Sequence, residues 1–163
     1  ALTQPSINKK LLYKNILLLI IERMKTYLIT FVIHNSRRSY RMKRLGIYTD
    51  QAMFFSNEER GLVKKILLSI LEEFKETVQG MAINVLKDHV HLVARLQPEE
   101  LSDFVRKLKG KSTHLYKKHY HITKEFHLWA RKFNRRLIEN TDSEIRAIHY
   151  VENNHLKHKQ DKV

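Results

Sequence analysis

The sequence predicts an α+β domain in which an antiparallel β-sheet carries helices packed on its faces. Three observations lead there. Segments rich in β-branched and aromatic residues alternate with segments of helical periodicity, in the order strand, helix, two strands, helix, strand, helix. Two of the strands are joined too tightly for anything but a hairpin. Two S/T-x-x-E patterns, Ser56 with Glu59 and Thr141 with Glu144, read as capping boxes that open helices.

Residues 8–25 mix apolar and basic positions without a breaker, which predicts an N-terminal helix, and 1–25 are set apart as an extension before a domain over 26–163. "TYLITFVIH" at 26–34 predicts a strand. After the basic segment "SRRSYRMKR" at 36–44, the Ser56–Glu59 box starts a helix on which Leu62, Ile66, Leu67, Ile70, Leu71 and Phe74 recur at helical spacing. "GMAINVLK" at 80–87 and "HVHLVARL" at 89–96 form the hairpin. Pro98 opens the next helix, to about His119, because proline suits a first turn. A strand is expected near 132–138. The last helix is expected from about Asp142 to Leu156, its buried stripe formed by Ile145, Ile148, Val151 and Leu156.

The 163 residues suffice for one domain with an ordinary core. Lysine and arginine number 31 against 17 acids, a net charge of 31 − 17 = +14, which points to a polyanionic partner, nucleic acid first. Basic residues crowd the stretch from Phe104 to Arg136, predicting one basic surface. The absence of cysteine excludes disulfides and thiolate metal sites and fits a reducing cytoplasm. The most apolar run, "ILLLII" at 16–21, is too short to span a bilayer, so no membrane partner is expected.

Alternation along the second hairpin strand puts Val90, Leu92, Ala94 and Leu96 on one face and His89, His91, Val93 and Arg95 on the other. Two imidazoles two residues apart point the same way and can reach one cation. They are equally consistent with a solvated, histidine-rich sheet face, and this strand alone leaves both readings open. A second H-x-H, His119 and His121, falls at a helix end without strand alternation. On the last helix Tyr150 lies nearly opposite the apolar stripe, with Asn154 one turn on and Ser143, Arg146 and Ala147 completing a small, polar face. A tyrosine turned away from a buried stripe is either a surface residue or one held out for use.

"DHVHLV", "LKGKSTHLYKK", "LWARKFNRRLIEN" and "IHYVENN", in that order, resemble the single-tyrosine HUH transposases of small insertion sequences and their REP-associated tyrosine transposase relatives. The likeness runs from about Tyr27 to Asn154. It implies the ferredoxin-like HUH endonuclease fold, with His89 and His91 as the pair that binds a divalent metal, Mg²⁺ or Mn²⁺. It further implies Asn154 as a third ligand and Tyr150 as the nucleophile. Asp88 and Lys109 match the family's "DH" and "LKG" positions, where a turn residue and a phosphate contact are the plain readings, and Trp129 matches an aromatic that packs. His155 stands where relatives often have proline.

The implied reaction is cleavage and rejoining of single-stranded DNA through a 5′-phosphotyrosine, with a hairpin flanking the site and a homodimer as one possible assembly. The DNA-binding candidates are Arg106, Lys107, Lys109, Lys111, Lys117 and Lys118 on the second helix, Arg131, Lys132, Arg135 and Arg136 around the last strand, and Arg37, Arg38 and Arg41 in the first basic cluster. Two competing functions share the fold: a basic nucleic-acid-binding module without chemistry, and a metal-dependent phosphodiester hydrolase in which the histidines activate water.

Overall fold

The structure, a computed structural model, describes residues 8–36, 40–46 and 53–160, with the side chains of 40–41 and 155–160 left aside. Its elements are α1 (Lys9–Arg23), β1 (Lys25–Val32), the short α2 (Tyr40–Arg44), α3 (Asn57–Glu73), β2 (Val78–Val85), β3 (His89–Leu96), α4 (Leu101–His119), β4 (Asn134–Ile138) and α5 (Thr141–Gln160). A 3₁₀ turn at Pro98–Glu100 leads into α4, as the proline suggests. The four strands form one sheet in the order β2-β3-β1-β4, and every pairing is antiparallel. α1 contains no buried residue.

The pleat divides the sheet into two faces. Ile29, Phe31, Val90, Leu92, Ala94 and Leu96 point into the larger core, closed by Val63, Leu67 and Ile70 of α3 and by Leu101, Phe104, Val105 and Leu108 of α4. Trp129 belongs to this core: its ring meets Phe31 edge-on at 4.7 Å and its Nε1 donates to Ser112 Oγ at 2.8 Å. The Ser56–Glu59 capping box forms in both directions, at 3.1 Å and 2.8 Å. Val93 and Ile138 point the other way, against Ala147 and Val151 of α5. Both faces of β3 are therefore covered, and the face that carries the histidines is not an open, solvated one.

α5 departs from expectation at two points. Its buried positions include Ala147, Val151 and Asn154, whereas Ile145 is 50% exposed. The helix is thus turned so that the small Ala147 meets the sheet, which permits a close approach. The second capping box does not form: Asn140 Oδ1 accepts from Ser143 N at 2.9 Å, taking the cap from Thr141, and Glu144 is engaged elsewhere. Glu144 accepts two bonds from Arg95 Nη2, at 3.0 Å and 2.8 Å, and a third from Thr26 Oγ1 at 2.6 Å. This contact fastens the first turn of α5 to β1 and β3 and fixes its rotation.

Candidate functional site

Directly paired residues of neighbouring strands share a face, so the register builds one polar row across the sheet: Asn84 of β2, His91 of β3, Thr30 of β1 and Asn134 of β4. The row lies on the α5 side, and in the next row inward Ala82, Val93 and Leu28 are apolar, with Arg136 at the β4 end. His89, two residues before His91, points to the same side. α5 is held over the row by Asn84, whose Nδ2 donates to the carbonyl of Val151 at 3.0 Å. The Glu144 contact and this bond hold the segment between them, and Tyr150 projects from it.

The two imidazoles meet through their outer nitrogens, with His89 Nε2 and His91 Nε2 3.1 Å apart. Each inner nitrogen has its own partner: His89 Nδ1 lies 2.5 Å from Asp88 Oδ1 and His91 Nδ1 lies 2.8 Å from Thr30 Oγ1. An ionised Asp88 only accepts, which puts the proton of His89 on Nδ1 and leaves its Nε2 with a lone pair. Thr30 accepts as well as donates, so His91 can also present a lone pair at Nε2. Both rings are buried, at 7% and 8% exposed, and stand edge-to-face with centroids 4.6 Å apart.

That donor set fits a divalent cation. Two nitrogens about 2.1 Å from one ion at a right angle would lie about 3 Å from each other, which matches the observed pair. The Asp88 and Thr30 contacts hold the two rings in orientation, as outer-shell bonds do wherever imidazoles ligate a metal. Asn154 is 4% exposed on the buried stripe of α5, one turn beyond Tyr150. Among the described residues no group of three His, Cys, Asp or Glu side chains is arranged to hold a metal. Sequence reasoning did not assign Asp88 or Thr30 a role. Asp88 was visible as a carboxylate next to His89, but Thr30 becomes relevant only through the β1–β3 register.

Tyr150 belongs to the same site. Its ring lies 5.5 Å from that of His91, centroid to centroid, and it is 39% exposed, open to a ligand on one side. Tyr116, on the basic helix, contrasts with it: it is 4% exposed and donates to Glu59 Oε1 at 2.7 Å, while burial and that carboxylate push its phenol well above the usual range. The rings of Tyr116 and its neighbour Tyr120 meet at a tilt, centroids 4.7 Å apart, on the α4 side of the sheet, away from the histidines.

The basic residues named from the sequence lie on both sides of the sheet. α4 packs on the core face opposite the histidines, and much of its charge is locally engaged. Arg106 and Lys107 both pair with Asp103, whose carboxyl they hold below its ordinary range, Lys107 most strongly. Lys111 pairs with Glu73. Lys109 donates to the carbonyls of Ala130 at 2.5 Å and Arg131 at 2.9 Å, and burial lowers its pKa, so it ties α4 to the loop before β4. Lys117, Lys118, Arg131, Lys132 and Arg135 take no part in an ion pair among the described residues. Arg136 pairs with Leu28 in register and so points to the histidine side. Arg37 and Arg38 lie outside the described residues, as does the side chain of Arg41.

The family model for IS200-like transposases matches residues 39–154, a span that includes the histidine pair, Tyr150 and Asn154. The chain belongs to the IS200-like transposase family. Among solved structures it is similar to a REP-associated tyrosine transposase bound to a REP hairpin, with 19% identity and a TM-score of 0.53 over 82% of this chain and 68% of that one. It is also similar to a candidate transposase from Deinococcus radiodurans R1, with 22% identity and a TM-score of 0.50 over 80% and 90% of the two chains. At that identity the likeness establishes the shared fold. No curated protein matches the chain. Among the described residues no helix of this transposase is long and apolar enough to cross a membrane.

Proposed function

We propose that this transposase cleaves and rejoins single-stranded DNA, with Tyr150 as nucleophile and with His89, His91 and Asn154 holding a divalent cation, Mg²⁺ or Mn²⁺. The observation that carries the reading is the contact of the Tyr150 and His91 rings within one chain, beside an Nε2 pair spaced for one ion. The active site is then formed in cis.

Phosphodiesters are anionic and resist attack; a bound cation supplies charge neutralisation at a non-bridging oxygen and alignment of the phosphorus. The chain's own residues do the rest. Asp88 fixes the tautomer of His89, Thr30 orients the ring of His91, and Asn84 and Glu144 hold α5 so that the phenol stays beside the phosphate. The Tyr150 oxygen forms a bond to phosphorus while the bond from phosphorus to the 3′-oxygen breaks. The proton lost by the phenol is balanced by the one gained at the 3′-hydroxyl. The resulting 5′-phosphotyrosyl ester retains the energy of the broken bond and reverses when another 3′-hydroxyl attacks, so strand exchange needs no external energy. A DNA hairpin beside an unpaired scissile step is the proposed substrate, because in-line attack requires a strand free to adopt that geometry.

The test is incubation with hairpin-bearing single strands and Mn²⁺, followed by denaturing gel electrophoresis. Wild type is expected to give a covalent protein–DNA adduct that chelation prevents, and Tyr150→Phe none while still binding DNA. An adduct in Tyr150→Phe overturns the assignment. Free 5′-phosphate ends without adduct indicate the hydrolase, and binding with no product of either kind indicates a module without chemistry.

A further inference from the structure

β4 is an edge strand, and α5 crosses the sheet mainly over β2 and β3. Between β4 and α5 this leaves a groove of about 440 Å³ whose lining includes Arg136, Ile138, Glu139, Arg146, Ala147 and Tyr150. Register places Arg136 on the α5 side of β4, two residues before the buried Ile138. Arg146 stands one turn before Tyr150 and faces the groove from the helix. Neither guanidinium is in an ion pair among the described residues; Arg146 Nη2 donates to the neutral Ser143 Oγ at 2.8 Å, which leaves most of its five donors available. Glu139 is the acid of the lining, and Ile138 and Ala147 make its floor apolar.

Tyr150 is shared between this groove and the histidine site, since the same ring touches His91. A polymer with one phosphate at Tyr150 therefore has the groove as an exit on the β4 side. The groove has the volume of a small-ligand site, which admits a nucleotide unit and not a duplex. Two cations flanking an apolar floor suit an unpaired strand, whose phosphates take the charge while a base or sugar covers the floor.

We propose that the β4–α5 groove is the channel for the unpaired strand next to the scissile phosphate, with Arg136 and Arg146 contacting its backbone. The proposal rests on the reading of Tyr150 as nucleophile and goes beyond it by naming the residues that bind the unpaired strand.

The experiment measures binding by fluorescence anisotropy in EDTA, so that no chemistry occurs, using a hairpin with single-stranded tails on both sides and the same hairpin without them. In wild type the tails are expected to raise affinity about tenfold. In the Arg136→Ala/Arg146→Ala double variant that gain should shrink to about twofold or less, and the salt slope of tailed-hairpin binding should fall by about two. A Lys64→Ala/Lys65→Ala control removes the same charge from α3 and should keep the gain. The inference is overturned if the tails give wild type no advantage, or if their full advantage survives in the double arginine variant. Failure of the nucleophile assignment is read separately: wild type then forms no adduct in Mn²⁺ while the tail effect persists.

Discussion

The two faces of the sheet solve different physical problems with the same strands. On one, α3 and α4 close an apolar core in which Ile29, Val90, Leu92, Ala94 and Leu96 are wholly buried. On the other, a single helix lies over a short apolar patch and the β2–β3 end of a polar row, Asn84 and His91, which runs on through Thr30 to the exposed Asn134. Desolvating polar groups is unfavourable unless each has a partner, and the row provides these through the Thr30–His91, Asp88–His89 and Asn84–Val151 bonds. The apolar face stabilises the sheet, and the polar face uses the resulting rigidity to hold reactive groups in register.

Exchange of the two tyrosines between roles is the strongest challenge to that division. Adduct formation should vanish in Tyr150→Phe, whereas Tyr116→Phe should retain the adduct. Tyr116→Phe should lower stability by about 1–2 kcal/mol, because Glu59 loses a buried donor; gel assay and urea melts read the two effects. Retained adduct in the first, or lost adduct in a folded second, would put the chemistry on the wrong face.

Next in size, Leu92→Ala in the apolar core should cost about 3 kcal/mol in a denaturant melt by leaving a cavity. Asp88→Asn, on the polar face, should leave the melt nearly unchanged but weaken Mn²⁺ binding about tenfold to a hundredfold in calorimetry. If Asp88→Asn destabilises the fold as Leu92→Ala does, the distinction between the faces fails.

The smallest expected effect concerns the Glu144 contact. The bond from Thr26, then Arg95, holds the Glu144 carboxyl below its ordinary value of 4.5. A depressed carboxyl contributes stability that is present above its unfolded value and lost as pH falls through its folded value. The docking of α5 should therefore weaken below about pH 4.5, with hydrogen exchange on α5 rising before that on β3. Glu144→Gln should lose about 1 kcal/mol at neutral pH and remove that acid sensitivity. Equal exchange on both elements would mean that the helix and the sheet open as one unit.

Much of this was legible in the sequence because it rests on local chemistry. Hairpin length, the Ser56–Glu59 box, Pro98 and the alternation of β3 each act over a few residues, and the structure follows them. Where local signals compete, reading fails. Thr141 and Glu144 have the spacing of a capping box, yet Asn140 is nearer the right place and Arg95, far along the chain, offers Glu144 a stronger bond. Ile145 is apolar and helical but lies outside the buried stripe, because that contact sets the rotation of α5.

By itself the sequence determined which side chains share a face of β3, that His89 and His91 point together, and that Tyr150 and Asn154 lie one turn apart, since these follow from the periods of strand and helix. Tertiary structure alone decided that Thr30 would meet His91, that Tyr150 would stand 5.5 Å from that ring, and that the basic residues of α4 would lie on the far side of the sheet. Those relations depend on pairing register and on how a helix is rotated against the sheet, and both are set by contacts between residues distant in the chain.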